Sequence, residues 1–168
     1  MVHASKSIPV TSPTTSVDLD VPRPKLAGAL ADLRTPGTVK LVLRDITADS
    51  PPGTLFNVFL ATKDDPANRQ HVGTISWFGA FRHRHEGHVG PEKKILTFDV
   101  TNALRALGGG AAASGLTVVI EATDGLVSTD LAQLQTQRAE ASKAFRAEAN
   151  LRIGSIELHA VPAPGSNQ

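Results

Sequence analysis

The chain predicts a mainly β protein: an antiparallel β-sandwich, jelly-roll-like, of six or more strands with one short helix and one inserted amphipathic helix. Three observations predict it. Short stretches alternate apolar and polar residues at period 2, as HVGTISWFG (71–79) and KILTFDV (94–100) do, with Leu96, Phe98 and Val100 on one face. Clusters of Pro, Gly and Asp separate these stretches at short intervals. Helical patterns are confined to two places, and many half-buried strands with little helix are most simply closed as two packed sheets.

In chain order, residues 1–24 are rich in Ser, Thr and Pro and too poor in apolar surface to offset their ordering entropy, so they read as a linker or tail. Residues 25–33 suit a short helical turn that Pro36 and Gly37 break, which sets 1–36 outside the domain. Val39, Leu41 and Leu43 then alternate with Lys40, Val42 and Arg44 as the first strand. The turn DSPPG leads into LFNVFLAT (55–62), whose Val, Phe and Leu suit a pleated surface, and KDDPANRQ closes it as a polar loop. A third strand starts near His71, a polar turn-prone loop with Pro91 follows, and the fourth strand is 94–100. Thr101 and Asn102 offer N-cap chemistry to a short helix through Leu107, stopped by Gly108, Gly109 and Gly110. LTVVIEAT (116–123) is the fifth strand, 129–149 an amphipathic helix with Leu131, Leu134, Ala141 and Phe145 at helical spacing, and 152–161 the last strand. The sandwich domain is thus expected over 37–161, with 162–168 a disordered tail.

A chain of 168 residues, 40% hydrophobic and 20% charged, fits one soluble domain. Its net charge of +1, from 17 basic and 16 acidic residues spread along the sequence, gives no phosphate-binding face, and nucleic acid is not an expected partner. No apolar run approaches the roughly 20 residues that span a bilayer, and MVHASKSIPVTS lacks the apolar centre of a signal peptide. No membrane partner is expected, and the compartment stays at the cytoplasmic default. The absence of cysteine removes disulfides, thiolate nucleophiles and Cys-based metal sites, so any metal must rest on His, Asp or Glu. Asp45, Asp64, Asp65 and Asp99 lie at strand ends or turns, where Asp ordinarily satisfies backbone N–H groups. Ser76 has no GxSxG elbow, and the Gly108–Gly110 run has no P-loop lysine. The chain carries no catalytic constellation of its own.

Half of its six histidines, His83, His85 and His88, fall in HRHEGH. Three imidazoles in so short a stretch suit Cu(II), Ni(II) or Zn(II), but with no further ligand at fixed spacing the stretch reads first as a solvated polar loop. His3 is a separate metal candidate: in Met1-Val2-His3 a free amine, two backbone amides and the imidazole suffice to wrap Cu(II) in a square plane.

The succession FNVFL, HVGTISWFG, ILTFDVTNALRAL, LTVVIEA and RIGSIEL resembles the β-sandwich domain that follows the copper domain in tyrosinases, plant polyphenol oxidases and molluscan hemocyanins. The resemblance covers about residues 39–161 in order and spacing; each piece alone is an ordinary strand pattern, and the order is what discriminates. The helix at 129–149 departs from that pattern, and the copper domain is not in this chain. A dicopper pair needs about six imidazoles from a helical bundle, and the histidines at 3, 71, 83, 85, 88 and 159 do not form such a set. The resemblance therefore implies a non-catalytic lid on a tyrosinase-type copper domain, in cis or in trans, with copper held by that partner, and a regulatory, chaperone-like role in its folding or copper loading. It also implies that one apolar side chain occupies the phenol site: Phe78 aligns with the blocking position, and Trp77 and Phe81 are its neighbours. The alternatives are a stand-alone copper carrier using His83, His85 and His88, and a generic interaction sandwich.

Overall fold

The computed structural model describes residues 2–4, 7–20, 22, 24, 37–76, 93–125 and 131–162. Ten strands appear among them: β1 (Val2–Ala4), β2 (Ile8–Pro9), β3 (Thr14–Leu19), β4 (Gly37–Ile46), β5 (Leu55–Thr62), β6 (Arg69–Ile75), β7 (Lys94–Asp99), β8 (Leu116–Thr123), β9 (Arg152–Ile153) and β10 (Ser155–Pro162). Two helices, α1 (Thr101–Ser114) and α2 (Leu131–Ala144), and a 3-10 turn at Ala147–Ala149 complete the described elements. One sheet runs β1-β10-β4-β7, a second β3-β8-β5-β6, and β2 pairs with β9 beside them; every pairing is antiparallel. With the short pair β2 and β9 set aside, the first strand lies by the last, the second by the seventh, the third by the sixth and the fourth by the fifth. That is a jelly roll, an antiparallel ribbon rolled into two sheets.

Alternation makes the core. Leu41, Leu43, Ile156 and Leu158 point inward from β4 and β10, and Phe56, Val58, Leu60, Val118 and Ile120 from β5 and β8; all lie in one buried apolar cluster. Between them stand polar residues or residues of the outer faces, such as Lys40 and Arg44 on β4 and Asn57 on β5, which are only partly buried. β6 and β7 approach each other where the two sheets meet. Gly73 lies under the ring of Phe98, so closely that a Cβ there would stand 2.2 Å from two ring carbons.

The N-terminal segment corrects the linker reading. β1, β2 and β3 pair with β10, β9 and β8, and Val10 and Leu19 are 1% and 2% exposed. Composition hid these strands because they lie at sheet edges and need only a few inward apolar residues, Ile8, Val10, Val17 and Leu19, among otherwise polar ones. Ladder hydrogen bonds to partners near the other end of the sequence do the rest. The helical turn expected at 25–33 and the tail at 163–168 lie outside the described residues.

Two further differences concern α1. Its first N–H is met from outside the helix: the Thr101 N–H donates to Asp99 Oδ1 at 3.0 Å, while Thr101 Oγ1 accepts the N–H of Val39 at 2.9 Å. The cap chemistry expected of Thr101 and Asn102 thus comes from Asp99. The glycine run does interrupt the helix, Gly108 being non-helical at φ 53° and ψ −137°, but a second helical segment follows as far as Ser114, with Leu104, Leu107 and Ala111 all buried against the core. α2 is shorter than expected, and its apolar face is thin: Ala141 is buried, Leu134 half-buried, and Phe145, just past its end, meets Phe56 edge-on with ring centroids 5.9 Å apart. No described helix is long and apolar enough to cross a membrane.

Leu19→Ala is expected to lower unfolding stability by about 2–4 kcal/mol in urea titration, the usual effect of emptying a buried leucine site; a residue in a linker would leave the midpoint unmoved. Gly73→Ala is expected to cost about 1–3 kcal/mol through overpacking against Phe98, with partial recovery in Gly73→Ala/Phe98→Leu.

Candidate functional site

The sequence places the candidate site between β6 and β7, and the described structure fixes its stem. β6 ends at Ile75, fully buried in the core, and the carbonyl of the next residue, Ser76, accepts a hydrogen bond from Lys94 Nζ of β7 at 2.5 Å. Phe98 packs over Gly73 further along the same two strands. The connection therefore leaves the second sheet and enters the first at a place clamped by one charge-assisted hydrogen bond and one ring contact. Trp77, Phe78, Phe81, His83, His85 and His88 all fall in 77–92, outside the described residues, so the structure neither gathers nor separates them.

His3 is placed by its backbone alone. It stands opposite Glu157 in the β1–β10 ladder. In an antiparallel pair alternate amides point at the neighbouring strand, so the amides of Val2 and His3 cannot both leave the ladder to ligate copper. The square-planar wrap of residues 1–3 and the folded β1 are mutually exclusive. Among the described residues no three His, Asp or Glu side chains are grouped to hold a metal ion.

Polar chemistry collects instead on the two outer faces, where alternation predicts polar residues but cannot reveal their pairing. On the first sheet, Glu157 is 6% exposed and takes three donors: His159 Nε2 at 2.7 Å, Arg44 Nε at 3.1 Å and Ser155 Oγ at 3.1 Å. Burial works against its charge, but the hydrogen bonds from His159, Arg44 and Ser155, with the charge of Arg44, outweigh burial and bring the carboxyl down to about 2. An ionised carboxylate so supplied with donors is a weak base and a poor ligand; its effect is to tie β10 to β4. Asp99 is also lowered to about 2, by hydrogen bonds from Thr101 and Lys40, and fixes the start of α1.

On the second sheet, Glu121 of β8 lies between two arginines, Arg69 Nη1 of β6 at 2.6 Å and the close Nε of Arg138 on α2. The Arg69 guanidinium in turn lies 4.1 Å from the centroid of the Phe59 ring, whose other neighbour is the edge of His71 at 5.4 Å between centroids. Asn57 Oδ1 lies 3.3 Å from His71 Nε2 and accepts Thr74 Oγ1 at 2.8 Å. This network holds α2 to the sheet and gives His71 a protein partner. The chain matches no protein-family model, and no curated protein is significantly similar to it.

Glu157 binds its proton at about 2 in the folded chain, against 4.5 for the free side chain, so its stabilisation is complete above pH 4.5 and disappears as pH falls toward 2. Glu157→Gln is expected to remove on the order of 3 kcal/mol at pH 7 and to flatten the acid limb of the stability profile between pH 4.5 and 2, read by urea unfolding at stepped pH.

Proposed function

We propose that this chain is a non-catalytic β-sandwich that acts as a regulatory lid on a tyrosinase-type dicopper domain, in cis or in trans. It shields the phenol site with an apolar side chain from residues 77–92. One observation carries the reading: the pieces of sequence that resemble the oxidase sandwich coincide with the elements that build this core. FNVFL lies on β5, HVGTI on β6, ILTFDVTNALRAL runs through β7 into α1, LTVVIEA is β8, and RIGSIEL spans β9 and β10. The segment to which the resemblance assigns the blocking residue is the one anchored at the Ser76–Lys94 stem.

The mechanism is steric. An aromatic side chain, Phe78 first and Trp77 or Phe81 beside it, fills the apolar pocket that would receive a phenol, and an interface of about 1,200–2,000 Å² holds it there. A rigid stem serves this action, because a plug on an untethered segment would lose rotational and backbone freedom on every docking event. The described histidines His71 and His159 each lie within hydrogen-bonding distance of a side-chain oxygen, and copper chemistry rests with the partner domain.

The test is phenol oxidation by a tyrosinase copper domain freed of its own sandwich, assayed against increasing concentrations of this chain. Saturable inhibition is expected, with the half-inhibiting concentration raised about 30-fold or more in Phe78→Gly, the effect of removing a central aromatic anchor. Undiminished activity at saturating chain, or inhibition unchanged in Phe78→Gly, Trp77→Gly and Phe81→Gly, would overturn the reading.

A further inference from the structure

The strands at the N-terminus lie as a strap along one edge of the sandwich. All strand pairings of β1, β2 and β3 are to β10, β9 and β8, at the opposite end of the sequence. Two backbone bonds join the turns between them to the same region, Val10 N–H to the Leu151 carbonyl at 2.9 Å and Ala122 N–H to the Pro13 carbonyl at 2.7 Å. Among the residues whose burial is described, Val10 and Leu19 are fully buried, Ile8 and Val17 are partly so, and Thr14, Ser16 and Asp18 are exposed. A ladder at the sheet edge with so few buried side chains along β2 and β3 is a part of the fold that opens at low cost.

What the strap covers has the opposite character. β8 reads LTVVIEAT, with Leu116, Val118 and Ile120 fully buried and Val119 3% exposed, and the six positions from Leu116 to Glu121 pair with β3 on that side. With the strap released, β8 presents an unpaired row of N–H and C=O groups on a β-branched, apolar strand without proline, the kind of edge that captures another strand.

We infer that the edge of β8, β9 and β10 beneath the strap is a strand-acceptor site whose partner is the strap of a second copy of this chain, giving a strand-exchanged dimer. The register argues for a second copy over an unrelated strand. Inward Val17 and Leu19 and outward Ser16 and Asp18 match β8 position by position, and every copy carries that same donor. Contacts made in trans are the ones made in cis, so exchange sacrifices none of them. The connection over residues 20–36 reaches at most about 60 Å at ~3.5 Å per residue, enough to serve a neighbouring copy as well as its own body. Concentration decides the balance. A short connection holds its own strap at an effective concentration of about 1 mM, so about a tenth of chains exchange at 0.1 mM protein, and the share rises with concentration.

The chain has no cysteine, which makes the test clean. Ser16 and Val119 stand directly opposite in the β3–β8 register. Ser16→Cys/Val119→Cys in one full-length chain is expected to close within the chain at micromolar concentration. Mixed single variants, Ser16→Cys with Val119→Cys, incubated at 0.1–1 mM and then oxidised, are expected to give a mixed disulfide dimer whose yield rises with concentration and exceeds that of either variant alone. Closure of the double variant without any mixed dimer up to 1 mM would overturn the inference. So would failure of the double variant to close, or single variants that homodimerise as readily as they cross-pair.

Discussion

The structure depends on one apolar layer, the contact between the inward faces of β4 and β10 on one side and β5 and β8 on the other. Leu41, Leu43, Ile156 and Leu158 meet Phe56, Val58, Leu60, Val118 and Ile120 there, each nearly or wholly removed from water. At about 25 cal/mol per Å² of apolar surface, such burial is the main term set against chain entropy. The other elements complete this layer. Leu104, Leu107 and Ala111 of α1 bury against its rim, Val10 and Leu19 finish the edge where the N-terminal strands lie, and Phe98 over Gly73 finishes the edge from which residues 77–92 depart. A sandwich of this kind is rigid at its strands and free to vary at its connections, which is why a docking side chain belongs on a connection with a clamped base.

The charged residues of the outer faces follow from the same geometry. A strand with one face in the core places its alternate residues outside, and there Glu157 and Glu121 are each enclosed by arginine, with histidine or helix α2 completing the set. Glu157 adds a side-chain tie between the paired strands β4 and β10, and Glu121 ties a mostly exposed helix to its sheet.

How much was legible depended on how strongly each element had to announce itself. β4, β5, β7, β8 and β10 were readable because a strand with an apolar face must repeat at period 2 over six or more residues. β3 was not, since TTSVDL meets its demand with Val17 and Leu19 and leaves Thr14, Ser16 and Asp18 to solvent, a pattern close to that of a linker. The second segment of α1, beyond Gly108, was also hidden, because the burial of Ala111 there is a tertiary fact. Of the partners of Glu157, Ser155 and His159 lie two residues to either side but Arg44 is 113 residues away, and no local pattern reports it. For the candidate site, residue types and the order of strands around them were legible beforehand, and the structure added the stem: Lys94 on the Ser76 carbonyl and Phe98 on Gly73.

Trp77 is the only tryptophan in the chain and neighbours the proposed blocking residue, so it reports on that segment alone. The most direct measurement is the ¹⁹F spectrum of 5-fluorotryptophan-labelled chain, a single resonance, during titration with a tyrosinase copper domain that lacks its own sandwich. The account predicts that this resonance shifts and saturates at one equivalent of the copper domain, in step with loss of phenol oxidation. A resonance that stays in place while the two proteins bind, or while activity is unchanged, would contradict it.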